Sequence, residues 1–209
     1  MERPGHGNHR EYLEIDLQRS LFENAADEAV SARLEGFRYQ PELLDHSEEA
    51  ALISHLSALP FREFEFHGYT GKRRVVSFGW KYDFSSAKLR QADDIPDYLL
   101  PLRARAASFA NLQPEAFPHA LVTEYGPGAG IGWHRDKAVF GEVVGISLLA
   151  SCVLRFRRKD GRKWERVNVL TEQRSAYHLT GPARMEWQHS ILRVDELRYS
   201  ITFRTMRPE

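Results

Sequence analysis

The stretch CVLRFRRKDGRKWERVNVL (Cys152–Leu170) decides the fold. Cys152, Leu154 and Phe156 alternate with Val153, Arg155 and Arg157, the period-2 pattern of a half-buried strand. Asp160-Gly161 stands between this run and a second one, Trp164–Leu170, and such a dipeptide between strands signals a hairpin. Further short β-like runs lie around it, at about Ala120–Tyr125, Gly132–His134, Val143–Leu149, Ala176–Leu179, Ala183–His189 and Tyr199–Thr205. About eight strands at this spacing predict a jelly-roll or barrel.

Helical signals lie in the N-terminal half. Ser47 is a candidate N-cap for a helix over Glu48–Leu59 that Pro60 ends, with Leu52, Leu56 and Leu59 on one stripe. Residues 97–110 predict a second helix, with Pro101 near its first turn. Phe61–Phe66 and Arg74–Tyr82 read as strands around a turn at Gly68–Gly71, and residues 23–34 read as a helix with a thin apolar face. The expected class is mainly β with helices (α+β). Residues 1–35 form a tail or extension, and residues 36–209 form one domain.

A chain of 209 residues can bury a sizeable core as one domain. No apolar run approaches about 18 residues, which excludes a transmembrane helix. Met1–Arg10 has no apolar signal-peptide core. The single cysteine, Cys152, forms no internal disulfide, and a reducing cytoplasm fits. The net charge of zero conceals an asymmetry: residues 1–150 carry 16 basic and 22 acidic side chains, residues 151–209 carry 13 and 7. Basic clusters stand at Lys72–Arg74 and Arg155–Lys163. Each reads either as a polyanion contact or as a charged strand end that discourages edge pairing.

The chain contains one His-x-Asp, at His134-Arg135-Asp136. In an extended segment both side chains point to one face, about 6–7 Å apart at Cα, within reach of one ion. A second histidine would complete a 2-His-1-carboxylate triad, the ligand set of non-haem Fe(II). His189, His178 and His119 are the candidates, and spacing does not choose among them.

The run Arg198-Tyr199-Ser200-Ile201-Thr202-Phe203-Arg204 puts two arginines and two hydroxyls on one face, and Tyr199, Ile201 and Phe203 on the other. Buried guanidiniums need anionic partners. Two arginines leaning toward each other leave a gap of about 6–8 Å, which a short dicarboxylate fills. The alternative is an outer face with both arginines solvated.

Taken in order, VTEYGPG (Val122–Gly128), GWHRDK (Gly132–Lys137), VGISLLA (Val144–Ala150), VLRFRR (Val153–Arg158), RMEWQHS (Arg184–Ser190) and RYSITFR (Arg198–Arg204) resemble the AlkB family of Fe(II)- and 2-oxoglutarate-dependent dioxygenases. RRVVSFGWKYDFS (Arg73–Ser85) is similar to the family's nucleotide-facing lid. The resemblance implies a double-stranded β-helix core over residues 120–205. It makes His134, Asp136 and His189 the iron ligands, Arg198 and Arg204 the 2-oxoglutarate anchors, and Tyr125 and Thr123 further contacts to that co-substrate. It also implies oxidative N-demethylation of alkylated bases with O2 as co-substrate, releasing succinate, CO2 and formaldehyde. Thr123 stands where the family usually has Asn. Ala138 replaces an acidic residue that DNA-repair members use to read the damaged base, and Arg174-Ser175 replaces Gly-Asp or Gly-Ser.

Arg73, Arg74, Trp80, Tyr82, Phe84, Trp133 and Lys137 are the candidate substrate contacts, for a single-stranded or damaged nucleic acid. Aromatics stack an extruded base while cations hold phosphates. As a strand, Trp80, Tyr82 and Phe84 equally read as one buried face. A protein or small-molecule substrate is the alternative, favoured by Ala138, and a non-catalytic barrel is a third reading.

Overall fold

The computed structural model describes residues 33–66, 69–83 and 88–207. The expected N-terminal tail, most of the expected helix over 23–34, and Phe84 lie outside them. The central hairpin forms as read. β9 (Cys152–Asp160) and β10 (Lys163–Thr171) pair antiparallel from Asp160↔Lys163 to Cys152↔Thr171. The two-residue loop is Gly161-Arg162, one residue later than Asp160-Gly161. Its positive φ of 55° falls at Gly161, matching type II′ turns, which put Gly first.

This hairpin joins β12 (Gln188–Ile191) and β7 (Ile131–His134) in a four-stranded sheet of order β10-β9-β12-β7. A seven-stranded antiparallel sheet has the order β1-β11-β8-β13-β6-β3-β2. Its strands are β1 (Phe37–Gln40), β2 (Arg62–Phe66), β3 (Tyr69–Phe78), β6 (His119–Tyr125), β8 (Phe140–Leu148), β11 (Ala176–Leu179) and β13 (Arg198–Met206). The molecule is the expected jelly-roll. Leu154, Phe156, Val167, Val169 and Ile191 of the small sheet meet Phe37, Tyr125, Val143 and Leu179 of the large one in a single buried cluster.

A second cluster covers the outer face of the large sheet. There Val122, Val144, Ile146, Tyr199, Ile201 and Phe203 pack with α1 (His46–Leu56) and α2 (Leu100–Ala110). The N-cap of α1 is Asp45 rather than Ser47. The Glu48 N–H donates to the Asp45 carboxylate at 2.8 Å, and the Asp45 N–H donates to the Glu48 carboxylate at 2.9 Å. This capping box starts the helix at His46, and the Ser47 hydroxyl donates to Asp45 as well. Leu52 and Leu56 enter the core as the stripe predicts. The α2 helix begins through a 3-10 turn at Asp97–Leu99, with Pro101 in its first turn.

The expected strand Arg74–Tyr82 is broken at Gly79. That residue has φ +72°, and a Cβ on it would lie 1.9 Å from the Pro118 carbonyl oxygen, so only glycine fits. β3 ends there, and β4 (Trp80–Asp83) leaves the large sheet to pair with β5 (Lys88–Gln91). The run Ala183–His189 is not one strand. Pro182 stands in the first turn of a short helix, α3 (Gly181–Met185), where proline is tolerated, and β12 begins only at Gln188. β1 is a four-residue edge strand, too short to show a period. Among the described residues no helix is long and apolar enough to cross a membrane.

Candidate active site

β7 and β12 are neighbours in the small sheet, with His134 opposite His189. Both side chains face inward, on the side of Phe156, which pairs with His189 across β9. Their rings are 4.3 Å apart. Asp136 sits in the loop just after β7. Ligand atoms of His134, Asp136 and His189 all lie within 4.8 Å of one another. Two imidazoles and one carboxylate on a single rim are a donor set suited to Fe(II), with other positions left open for exogenous ligands.

The same register separates the other histidines. His178 lies on the outer face of the large sheet, where it is hydrogen-bonded to Glu142 at 2.7 Å and packs against Phe109. His119 lies inward, opposite Arg204 and 4.7 Å from the Phe140 ring, outside the His-Asp-His cluster.

Burial drives the His189 pKa down to about 3 and lowers those of His134 and His119. The imidazoles therefore stay neutral at pH 7, the form that ligates metal. Burial, the largest single influence, would raise the Asp136 carboxyl, but Arg204 together with His189, His134 and Arg184 outweighs it and holds the group below the usual carboxylate range. The folded pKa values of the histidines lie below the unfolded value, so their contribution is complete above pH 6.5 and is lost as pH falls toward 3. The metal-free protein is expected to melt at lower temperature at pH 5.5 than at pH 7.5. Thermal melts across that range check it, and a midpoint that rises on acidification contradicts it.

The arginine strand resolves in favour of the inner face. On β13, Arg198, Ser200, Thr202 and Arg204 are all buried, while Tyr199, Ile201 and Phe203 enter the helix-covered cluster. Arg198 pairs across the ladder with Tyr125, and its guanidinium carbon lies 4.9 Å from that ring. Its Nε donates to the Ser147 hydroxyl at 3.0 Å. Arg204 donates through Nη2 to Asp136 at 3.1 Å. Arg198 Nη1 and Arg204 Nε are buried and have no hydrogen-bond partner among the described residues. Orphaned guanidinium donors on a buried face are costly, and an anion with two carboxylates supplies what they lack. The residues therefore fit 2-oxoglutarate. Thr123 is buried on the same face, opposite Ser200.

Three residues absent from the sequence reading also shape the site. One is Ser147, named above. The second is Tyr177, opposite Gly145, which in turn lies opposite Thr202 between the two arginines. A Cβ on Gly145 would fall 2.3–2.5 Å from the Tyr177 ring end and hydroxyl, so glycine makes room for a phenol across this face. Burial holds the phenol protonated. The third is Arg184 of α3, which donates to the carbonyls of Gly141, Lys137 and Phe140 at 2.7–2.9 Å. It fixes the loop that carries Asp136. Arg184→Ala is expected to weaken Mn(II) affinity by about 10- to 100-fold. Calorimetric titration checks this, and unchanged affinity contradicts it. Alternation could have flagged Ser147 and Tyr177, but nothing local marks Arg184.

The substrate candidates divide. Arg73 lies inward, opposite Tyr125, with its guanidinium carbon 3.8 Å from the Phe64 ring centroid. Arg74 points to the other face and pairs with Glu124 at 2.7 Å. Tyr82 of β4 lies under the Lys137 ammonium, 5.0 Å away. Trp80 is half-buried on the same short strand. Trp133 points away from His134, to the outer side of the small sheet, where Arg155 and Arg157 lie over it.

The sequence from residue 36 to residue 204 matches the profile of the 2OG-Fe(II) oxygenase superfamily. No curated protein matches it significantly. Among solved structures, OsALKBH1 superposes with a TM-score of 0.64 at 19% identity, covering 81% of this chain and 96% of that one. An oxidoreductase of the 2OG-Fe(II) oxygenase family from Burkholderia pseudomallei gives 0.60 at 17% identity, covering 88% and 91%. A Pseudomonas putida prolyl-4-hydroxylase gives 0.57 at 16% identity, covering 88% and 99%. At these identities the likeness is one of fold.

Proposed function

Because this chain belongs to the 2OG-Fe(II) oxygenase superfamily, we propose that it removes N-alkyl groups from nucleic-acid bases, in the manner of the AlkB family. It is an oxidoreductase that uses Fe(II), 2-oxoglutarate and O2. Iron and co-substrate supply the oxidation, in which 2-oxoglutarate becomes succinate and CO2 while an oxygen atom enters a substrate C–H bond. The chain's own residues hold, orient and shield. Neutral His134 and His189 together with ionised Asp136 hold the metal. Arg204 keeps Asp136 ionised and in place. Arg198, with Tyr125 against it, receives one carboxylate of the co-substrate, and Arg204 offers its Nε to the other. The inner walls of both sheets exclude water. Hydroxylation of an N-methyl group gives a carbinolamine, which releases formaldehyde and leaves the bare nitrogen.

The observation that supports this substrate class is the Lys137–Tyr82 contact. Lys137 follows Asp136 directly, so its contact brings the β4–β5 hairpin, the lid-like element, beside the metal loop. An aromatic ring and a cation there suit an extruded base and its phosphate. AlkB also appears in the name of one structural neighbour. The domain reading, with residues 36–209 as the oxygenase and 73–85 as a lid, belongs to the same proposal, as does a cytoplasmic location. Ala138 favours a second reading, a protein or small-molecule substrate, and another neighbour is a prolyl-4-hydroxylase.

Succinate release by the Fe(II)-loaded enzyme, with and without N-methylated single-stranded oligonucleotide, tests the proposal. Stimulation with matching formaldehyde is expected. Stimulation by a proline-containing peptide alone would move the assignment to the second reading.

A further inference from the structure

We propose that the outer face of the small sheet docks the sugar-phosphate backbone of a single nucleic-acid strand. The inference rests on the nucleic-acid reading above and adds a surface to it. Arg155 and Arg157 point outward from β9, on the side opposite Leu154 and Phe156. The Arg157 guanidinium carbon lies 4.4 Å from the ring centroids of both Trp133 and Trp164, so it is clasped between two indoles. Arg155 lies 4.9 Å from Trp133. Stacking holds the guanidiniums in place at little further entropic cost.

Their hydrogen bonds leave capacity for an anion. Arg155 donates through Nε to the Ser190 hydroxyl at 3.1 Å, and Arg157 through Nε to the Gln188 carbonyl oxygen at 2.7 Å. Both acceptors are neutral, and among the described residues neither arginine forms an ion pair. The contrast is Arg158, next in the chain and on the other face, which takes Glu186 at 2.9 Å and Glu165 at 3.1 Å. The nearby carboxylates are thus committed elsewhere, while Arg155 and Arg157 remain fixed cations with acceptor-seeking edges.

The spacing selects a phosphate chain. Residues two apart on a strand are about 6–7 Å apart, close to the step between successive phosphates of an extended single strand. Guanidinium forks match phosphate oxygens bidentately. Trp164, 40% exposed, offers a ring on which a base can stack. A linear row of cations ending on an aromatic platform fits nucleic acid better than an acidic protein. This face is the reverse of the strands that carry His134 and His189, so a docked strand lies beside the catalytic sheet without entering the pocket.

The test is fluorescence anisotropy of the full chain with a lesion-free oligothymidylate, from low to physiological salt. Arg155→Ser/Arg157→Ser is expected to lower affinity at least tenfold and to make the log–log salt slope shallower by about 1.4, two lost contacts at about 0.7 each. Arg155→Lys/Arg157→Lys keeps the charge and should keep most of that slope, which guards against a folding artefact. Equal affinity and slope for the serine variant overturn the proposal, as does displacement by polyglutamate as effective as by oligonucleotide of equal charge. Formaldehyde release from an N-methylated trinucleotide, too short to span both sites, reports the substrate class separately. If release is normal and the arginine effect absent, the surface fails alone. If no release occurs but the arginine effect is present, the dealkylase reading fails alone.

Discussion

His189→Ala is expected to lower O2-dependent succinate release by about a thousandfold, or roughly 4 kcal/mol at about 1.36 kcal/mol per decade. The loss should come with a loss of metal affinity. The cause is geometric. His189 and His134 are cross-strand partners with rings 4.3 Å apart, and Asp136 follows two residues after His134. Removing one imidazole leaves a His-Asp pair on one strand end, with no ligand from the neighbouring strand. The folded protein should tolerate the change, because the His189 imidazole packs against the rings of His134 and Phe156, and among the described residues its loss leaves no hydrogen-bond partner unpaired. His178→Ala is the control. It removes a comparable imidazole from the outer face of the large sheet and should leave metal affinity intact. Metal titration with both variants checks the assignment. Equal affinity in His189→Ala and the parent protein contradicts it.

Arg198→Ala is expected to raise the 2-oxoglutarate concentration needed for half-maximal turnover by two to three orders of magnitude. Removing one partner of a buried charge pair costs about 3–5 kcal/mol. Arg198 is 1% exposed and keeps one buried donor without an acceptor among the described residues. Lysine should not rescue it, because a point charge cannot reproduce the fork that reaches both Ser147 and a carboxylate. The effect should fall on co-substrate affinity with metal affinity preserved, since Arg198 touches no residue of the His-Asp-His cluster. Arg204→Ala should differ. It loses the 3.1 Å contact to Asp136, so metal and co-substrate affinity fall together. Titrations of metal and of 2-oxoglutarate separate these outcomes, and identical behaviour of the two variants contradicts the assigned roles.

Much of the site was legible in the sequence because its residues obey strand periodicity. His134 and Asp136 share a face by spacing, and so do Arg198, Ser200, Thr202 and Arg204. Which histidine completes the cluster was not legible from spacing, since it depends on β7 pairing with β12. That register puts His189 opposite His134 and leaves His178 on the other side of a different sheet. Elsewhere local patterns were overridden. Pro182 and the three carbonyls that Arg184 holds turned the first part of a β-like run into a helix. Pro118, distant in sequence, pressed on Gly79 and divided a strand whose pattern looked continuous. The capping box at Asp45 and Glu48 outweighed Ser47, which is a good capping residue two positions out of register with Glu48. The arginine–tryptophan stack required three strands to be aligned. The sequence offered only a basic cluster with two readings.

The most direct test of the assigned site is an anaerobic titration of 2-oxoglutarate into the Fe(II)-loaded protein, followed by the visible absorption band of a keto acid chelated to ferrous iron. The band should develop and saturate in the parent protein, fail to develop in His189→Ala, and require far more 2-oxoglutarate in Arg198→Ala. A band that saturates alike in all three proteins would mean that His134, Asp136, His189 and Arg198 do not form the site.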